Sequence, residues 1–313
     1  MPIRCIRLRK NFFIYFYPLY AVLQNMPLEY RFCYLRFLQI TFDRHFCKEI
    51  SKSTKIAFMT KNEHLTYITN MVIGVYDSGI GGLTTLSEIA RIYPDCEFFY
   101  FSDNKNHPFG NKDEKELEKI VNSAVAKLKN NSDVQILACN TASSTYKGDD
   151  VIKLLPPTCL CTAIPNKTLL MATDRTIANL HSDCVKIANT PELATMIEIQ
   201  AELNRNLDMS ALVPYLKKRI GKFYGVNNVI LGCSHYPYCK KEIKRILGDV
   251  TFFDGNDLVR CNLKSEMKIH GYVKNANIKA SDFALENVRF VFSGLNEEKK
   301  YERILKELMQ GEI

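Results

Sequence analysis

The chain has 313 residues, of which 46% are hydrophobic and 24% are charged, so it can build one or two domains with cores of their own. Residues 1–70 contain eleven Lys and Arg against four Asp and Glu, which accounts for almost all of the net charge of +8. This excludes a basic nucleic-acid-binding face on the main body, and eleven scattered cysteines exclude a dense disulfide scaffold and favour a reducing, cytoplasmic setting.

Residues 1–70 differ in composition from the rest of the chain. Bases and aromatic residues recur there without a clean helical or strand period. We expect Met71 to be the true start, with a mis-annotated or disordered extension before it. A targeting or membrane-surface segment is the alternative. No run of 18 apolar residues exists, so the sequence predicts no membrane contact for the main body.

Strand and helix patterns alternate from residue 72 onwards. Strands are predicted at 72–76, 96–103, 134–138, 167–173, 227–233, 250–254 and 286–294. Helices are predicted at 83–91, 113–130, 192–203, 240–247 and 297–310. The alternation predicts an α/β fold with mainly parallel sheets flanked by helices, in which ligands bind at the carboxyl ends of the strands.

The "YDSGIGG" stretch follows the first predicted strand. Asp77 can move a proton or bind an ammonium group, and Ser78 with the glycine-rich backbone can hold a carboxylate. As a dinucleotide-binding signature the stretch is poor, because Thr84 occupies the third glycine position. A plain glycine turn is the alternative interpretation.

Two cysteines stand where predicted strands end. Cys139 follows "VQILA", and Cys233 follows "NNVILG" and precedes Ser234 and His235. A helix start or an imidazole can stabilise a thiolate at such a position. Either cysteine alone is typical of a buried packing residue. One in each half of the chain predicts two facing thiols.

Facing thiols suit the inversion of a stereocentre next to a carboxylate. A thiolate removes the Cα proton from one face, and a thiol delivers a proton to the other face. No cofactor is needed in principle.

Four motifs taken together closely resemble the glutamate racemase family, within the aspartate/glutamate racemase superfamily of cofactor-independent enzymes. They are, in chain order, "VIGVYDSGIGGLT", "YFSDNKNHPFG", "ACNTASS" and "LGCSHYP". The resemblance covers about residues 72–313. It implies two pseudo-symmetric α/β domains with the active site in the cleft between them. We expect residues 71–157 plus 248–313 in the first domain and 158–247 in the second.

The resemblance also implies roles for individual residues. Cys139 and Cys233 correspond to the acid/base thiols, Cys139 on the D-glutamate side and Cys233 on the L-glutamate side. Asp77 corresponds to the carboxylate that assists Cys139, and His235 to the partner of Cys233. Glu198 corresponds to a second assisting carboxylate. A solvated helix carboxylate is the alternative for Glu198.

The remaining matched positions correspond to groups that bind the substrate. They are Ser78, Pro108, Phe109, Gly110, Asn140, Thr141 and Ser234. Phe109 stands where the family usually has Tyr, so one hydroxyl group is lost.

The resemblance therefore implies racemisation of L- and D-glutamate in the cytoplasm, which supplies D-glutamate for peptidoglycan. It implies no cofactor, no metal and no nucleic-acid partner, and it leaves a homodimer open. A racemase for aspartate or another acidic amino acid is one alternative. A catalytically impaired relative that binds a partner protein is another, because segment 145–167 is compressed where the family has a strand and a helix.

One further cluster could bind zinc. Cys159, Cys161, His181 and Cys184 offer thiol and imidazole ligands, but their spacing matches no standard zinc module. Cys159 and Cys161 lie in a stretch that reads as strand-like. His107 and His270 have no partner pattern and are predicted to be ordinary loop residues.

Overall fold

The computed structural model describes residues 71–180, 186–204, 206–272 and 278–311, which fall in one compact unit. The extension 1–70 and two of the possible zinc ligands, His181 and Cys184, lie outside the described residues. Within the described ranges, no helix is long and apolar enough to cross a membrane.

Nine strands in the described ranges form two sheets. The strands are β1 Val72–Asp77, β2 Glu97–Ser102, β3 Val134–Leu137, β4 Ile152–Lys153, β5 Thr168–Ala172, β6 Lys186–Asn189, β7 Asn228–Gly232, β8 Thr251–Phe253 and β9 Val288–Phe292. The first sheet has the order β4-β3-β1-β2-β9 and the second β6-β5-β7-β8, with every pair parallel.

Helices connect the strands. They are α1 Gly82–Ile92, α2 Glu114–Lys129, α3 Asn140–Thr145, α4 Cys159–Ala163, α5 Asp174–Asn179, α6 Leu193–Leu203, α7 Val213–Ile220, α8 Lys240–Leu247, α9 Asn256–Ile269 and α10 Glu298–Gln310. The predicted α/β fold with parallel sheets and flanking helices is confirmed.

Strand burial follows the position of each strand in its sheet. β1 lies between β2 and β3, and its residues from Ile73 to Asp77 are buried. β7 lies between β5 and β8 and is buried along its whole length. Strands covered on both faces read as continuous apolar runs, which is why both were predictable from the sequence. These central strands carry the functional motifs at their carboxyl ends.

The register of the first sheet brings two of the motifs together. Tyr76 is the partner of Leu137 in the β1–β3 pairing. The residues just after them, Asp77 and Ser78 on one strand and Cys139 on the other, therefore meet at the same edge of the sheet.

The compressed segment 145–167 keeps a strand and a helix in short form, β4 and α4. The strand-like interpretation of Cys159–Cys161 is wrong. Pro156 and Pro157 end the extended chain, and the Cys161 amide then donates to the Thr158 carbonyl at 2.9 Å to open a helical turn.

The proposed division of the chain into two domains stays a prediction. β8 pairs with β7 in the second sheet, so the chain returns to the first sheet only after Phe253, later than the expected boundary at 248.

Gly82 offers a test of the packing between β1 and α1. A Cβ atom there would lie 2.7 Å from Asp77 Cβ and 2.8 Å from the Tyr100 hydroxyl. We expect Gly82→Ala to lower the free energy of unfolding by about 1–3 kcal/mol, as overpacking does elsewhere. Urea unfolding measures this.

Gly221→Ala is the matched control, because a Cβ there meets only Lys217 Cγ, at 3.6 Å. Equal stability of the two variants would contradict the expectation.

Candidate active site

The glycine-rich turn after β1 is fixed by hydrogen bonds from both halves of the molecule. The Gly79 amide donates to Asp77 Oδ1 at 2.8 Å. The Tyr100 hydroxyl, on β2, donates to the Gly79 carbonyl at 2.7 Å. The Tyr238 hydroxyl, which follows β7, donates to the Ile80 carbonyl at 3.0 Å.

The glycines of this turn make room for side chains of the second half. A Cβ at Gly79 would lie 1.9 Å from Glu198 Oε1. A Cβ at Gly81 would lie 2.4 Å from Ser234 Oγ and 2.6 Å from His235 Nδ1. The interpretation as a plain turn is therefore wrong, because the turn forms one wall of a polar cluster.

Asp77 is fully buried within this cluster. Its Oδ2 accepts a hydrogen bond from Ser234 Oγ at 2.8 Å. Burial raises the pKa of Asp77, while the positive charge of His235 and the hydrogen bonds from Ser234 and Gly79 lower it, and the net pKa is raised. Asp77 therefore links the two cysteine segments. Ser78, the next residue in the chain, contacts Cys139, and Ser234, which follows Cys233, donates to Asp77.

Cys139 lies at the start of α3 and is 5% exposed. Its Sγ lies 3.9 Å from Ser78 Oγ. Burial raises the pKa of the Cys139 thiol, and the negative charges of Asp77 and of a Cys233 thiolate raise it further. The expected helix is present, but burial outweighs any lowering of the pKa by the helix start.

Cys233 lies at the end of β7 and is 9% exposed. Its Sγ lies 3.9 Å from His235 Nδ1, and His235 Nε2 lies 3.0 Å from Glu198 Oε1. Burial lowers the pKa of His235, but the hydrogen bonds with Cys233 and Glu198 overcome this and raise the pKa well above its usual value. The imidazole is thus held in its charged form between a thiol and a carboxylate.

Glu198 reaches this cluster from α6. Its Oε1 also accepts from the Ile80 amide at 2.7 Å, and its Oε2 accepts from Lys300 Nζ at 3.3 Å. Burial raises the pKa of Glu198, but His235, His107 and Lys300 lower it, and the result is about 2. Since the side chain is only 15% exposed, the interpretation as a solvated helix carboxylate is wrong.

The structure brings His107 into the cluster, and the prediction of an ordinary loop residue is wrong. Its ring centre lies 5.5 Å from that of His235, and its Nδ1 lies 3.5 Å from Ser78 Oγ. Burial and the charge of His235 lower the pKa of His107 to about 4, so the ring is neutral near pH 7. Its position directly before Pro108 was the signal that sequence reasoning passed over. Lys300, from α10, was also missed.

The Pro108–Phe109–Gly110 loop packs against β1 on one side and against the end of β5 on the other. Phe109 is 2% exposed, and its ring centre lies 6.2 Å from that of Tyr76. A Cβ at Gly110 would lie 3.5 Å from Thr173 Cβ. The buried phenylalanine therefore acts as a packing residue that holds the loop beside the site.

Asn140 and Thr141 lie on the first turn of α3 and are buried. Asn140 Nδ2 donates to the Leu154 carbonyl at 3.1 Å, while its buried Oδ1 has no hydrogen-bond partner among the described residues. Thr141 Oγ1 lies 3.2 Å from Thr176 Oγ1 and 3.4 Å from Thr173 Oγ1. Asn140 Oδ1 is thus an acceptor available to a ligand.

A mixed ligand set for a metal ion exists within the described residues. One ligand atom from each of His107, Glu198 and His235 lies within 4.8 Å of the others. The zinc cluster suggested by Cys159 and Cys161 depends on residues outside the described ranges and stays untested.

Comparison with known proteins decides the family. No family model matches the chain. A glutamate racemase from Clostridium novyi is 31% identical over 272 residues, which cover 77% of this chain and 98% of the relative. The chain belongs to the glutamate racemase family. It is accordingly an isomerase of the amino-acid racemase type.

Solved structures of glutamate racemases share this fold. A glutamate racemase isoform from Bacillus anthracis is 26% identical with a TM-score of 0.61, over 77% of this chain and 94% of that one. The enzyme from Francisella tularensis, described in complex with D-glutamate, has 23% identity and a TM-score of 0.58, over 78% and 95% of the two chains. At that lower identity, the likeness shows the fold alone.

Glu198→Gln removes the charge that pairs with His235 and Lys300. The folded-state pKa of Glu198 is lowered from 4.5 to about 2, so its ionised form stabilises the fold above pH 4.5 and this contribution is lost as the pH falls towards 2. We expect wild type to exceed the variant by up to about 3 kcal/mol in free energy of unfolding near neutral pH. Urea unfolding at a series of pH values measures how this difference shrinks with acid.

Glu202→Gln is the matched control. Glu202 lies on the same helix and within 3.3 Å of Lys300 Nζ, but its side chain is 64% exposed. Its effect should be small, because an exposed ion pair contributes little to stability. A Glu198→Gln effect that does not change with pH would contradict the proposed ion pairs.

Proposed function

We propose that this chain interconverts L- and D-glutamate without a cofactor, with Cys139 and Cys233 as the acid/base pair. The observation that carries the proposal is the bridge through Asp77. Ser78, next to Asp77 in the chain, contacts Cys139, and Ser234, next to Cys233, donates to Asp77. Both thiols therefore border one polar cluster, and a relative that is 31% identical over 272 residues is named glutamate racemase.

The first half of the reaction uses Cys233. Its thiolate, beside the charged His235, takes the Cα proton of L-glutamate, so that a C–H bond breaks and an S–H bond forms. The electron pair left on Cα is delocalised into the substrate carboxylate.

The second half uses Cys139. Its thiol, which burial and the charge of Asp77 keep protonated, delivers a proton to the opposite face of Cα. The product is D-glutamate, with Cys139 now a thiolate and Cys233 a thiol. The reverse reaction exchanges these roles.

The remaining polar groups bind the substrate. The free Oδ1 of Asn140 is an acceptor for the substrate ammonium group. The hydroxyl groups of Ser78 and Thr141 can donate to the carboxylates, whereas the Ser234 hydroxyl already donates to Asp77 and can only accept a hydrogen bond from the substrate. We further propose that the D-glutamate so formed is supplied to peptidoglycan synthesis in the cytoplasm.

The assembled cluster supports an active enzyme over a catalytically impaired relative. Asp77 and Glu198 hydrogen-bond to the glycine turn, and Cys139 contacts Ser78 in the same turn. His235 contacts Glu198, and Cys233 contacts His235. Circular dichroism of L-glutamate incubated with the full chain tests the substrate, with L-aspartate in parallel. Faster loss of signal from aspartate than from glutamate would overturn the choice of substrate.

Replacing either thiol should abolish racemisation while leaving one half-reaction. In deuterated water, Cys139→Ala should exchange the Cα hydrogen of L-glutamate only, and Cys233→Ala that of D-glutamate only. The reason is that each variant keeps the thiol facing one side of Cα. Proton NMR of each enantiomer measures the exchange.

Cys261→Ala is the control, because Cys261 is an exposed free cysteine on α9. It should racemise glutamate at the wild-type rate. Full racemisation by either Cys139→Ala or Cys233→Ala would refute the two-thiol mechanism.

His235 should assist one thiol and not the other. In the Cys139→Ala protein, adding His235→Gln should slow exchange of L-glutamate by about 10²–10⁴-fold, because the charged partner of Cys233 is lost. In the Cys233→Ala protein, the same change should slow exchange of D-glutamate far less. Equal slowing in both backgrounds would contradict the pairing of His235 with Cys233.

A further inference from the structure

Three side chains beside the glycine turn converge on one point. His107 comes from the loop before Pro108, Glu198 from α6 and His235 from the segment after β7. One ligand atom of each lies within 4.8 Å of the others. Neither the proposed racemisation nor the family resemblance uses His107.

The spacing between His235 and Glu198 suits a zinc ion. Zn²⁺ binds His nitrogen and carboxylate oxygen at about 2.0–2.2 Å in a tetrahedral arrangement, so neighbouring ligand atoms lie about 3.3 Å apart. His235 Nε2 and Glu198 Oε1 are 3.0 Å apart. Two histidines and one glutamate, with the fourth position left to water or another ligand, are a known zinc-binding set.

His107 carries an unused ligand atom. Its Nε2 is buried and has no hydrogen-bond partner among the described residues. A buried polar atom without a partner costs free energy that a ligand would recover. The other ring nitrogen lies 3.5 Å from Ser78 Oγ, an arrangement that orients a ligating histidine through a second contact.

The positive charge nearest the three side chains, that of Lys300, is offset by neighbouring carboxylates. Lys300 Nζ lies 3.3 Å from Glu198 Oε2, which opposes a second positive charge. Glu297 and Glu202 lie 2.9 Å and 3.3 Å from the same ammonium group and offset it. Asp77 is buried nearby, where it accepts from Ser234. Glu198 Oε1, which faces His235, remains the oxygen oriented towards an ion.

We propose that His107, Glu198 and His235 form an inhibitory binding site for Zn²⁺. An ion held by His235 Nε2 takes the place of the proton that His235 shares with Glu198. Because Cys233 Sγ lies 3.9 Å from the same imidazole ring, the ion and the ligand at its fourth position then lie close to Cys233 and hinder the approach of substrate to that thiol. Zinc binding itself does not depend on the proposed function, whereas the inhibition rests on it.

Zinc binding is tested by isothermal titration calorimetry on the full chain after treatment with a chelator and its removal. We expect His107→Ala and His107→Gln to weaken the wild-type binding event by at least about tenfold, because each removes one of three ligands. The Gln variant keeps a polar side chain and guards against misfolding. His270→Ala, at the end of α9, is the matched control and should bind as wild type does. Unchanged zinc affinity in both folded His107 variants would overturn the proposal.

Cobalt substitution distinguishes this site from one that uses cysteines. Co²⁺ bound by His107, Glu198 and His235 should show tetrahedral d–d absorption without thiolate-to-metal charge transfer. Charge-transfer absorption that persists in His107→Ala would place the metal on cysteines such as Cys159 and overturn the assignment.

Turnover separates the two proposals. Zinc should inhibit glutamate racemisation in wild type and in His270→Ala, and His107→Ala should need at least about tenfold more zinc for the same fractional loss of its own metal-free rate. If the protein binds zinc through His107 but does not racemise glutamate in the absence of zinc, the proposed function alone is overturned. Turnover that zinc inhibits equally in His107→Ala would sink the inhibitory site alone.

Discussion

The close approach of second-half side chains to the backbone of the glycine turn is the contact on which the rest of the site depends. The Ile80 amide donates to Glu198 at 2.7 Å, and Asp77 accepts from Ser234 at 2.8 Å. A Cβ at Gly79 would fill the place of the glutamate oxygen. The turn follows β1, and its partners come from α6 and from the end of β7, so these bonds set the separation between the two segments that carry the cysteines. Any displacement of the turn would change both thiols at once.

The same contacts bury charged groups that would be costly alone. Taken in the order Lys300, Glu198, His235 and Asp77, the charges alternate in sign, and each group has at least one hydrogen-bonded partner in the polar cluster. Removing one member of a buried pair leaves the other uncompensated, and the loss is larger than the net contribution of the intact pair. A cluster of this kind adds little to global stability, but it favours one arrangement of side chains over others. Its main effect is to hold the side chains in place, because a proton-transfer site tolerates little displacement.

Much of this arrangement could be predicted from the sequence, and the failures have physical causes. Strands β1 and β7 are continuous apolar runs because both faces are covered, and the glycine-rich motif and the Cys233 motif follow at their ends. Helix α9 was missed although Leu263 and Met267 lie one turn apart, because charged residues between them obscure the period. His107 and Lys300 were missed because their partners are distant in sequence. Glu198 contacts Ile80 across 118 residues, a proximity that only the folded chain creates.

The two thiols lie in different electrostatic surroundings, and this has a consequence for the proposed reaction. Cys233 faces the charged His235 at 3.9 Å, while Cys139 faces a hydroxyl group at the same distance and its pKa is raised by burial and by Asp77. Burial and the charge of Asp77 therefore favour the thiol form of Cys139, which is the form that the proposed mechanism requires when L-glutamate is the substrate. D-glutamate requires the opposite form, so its turnover must include the free energy of moving that proton. Because enantiomers have equal free energies in water, kcat/KM must nevertheless be equal in both directions. The asymmetry of the site can then appear only as a kcat and a KM that are both higher, by the same factor, for one enantiomer than for the other.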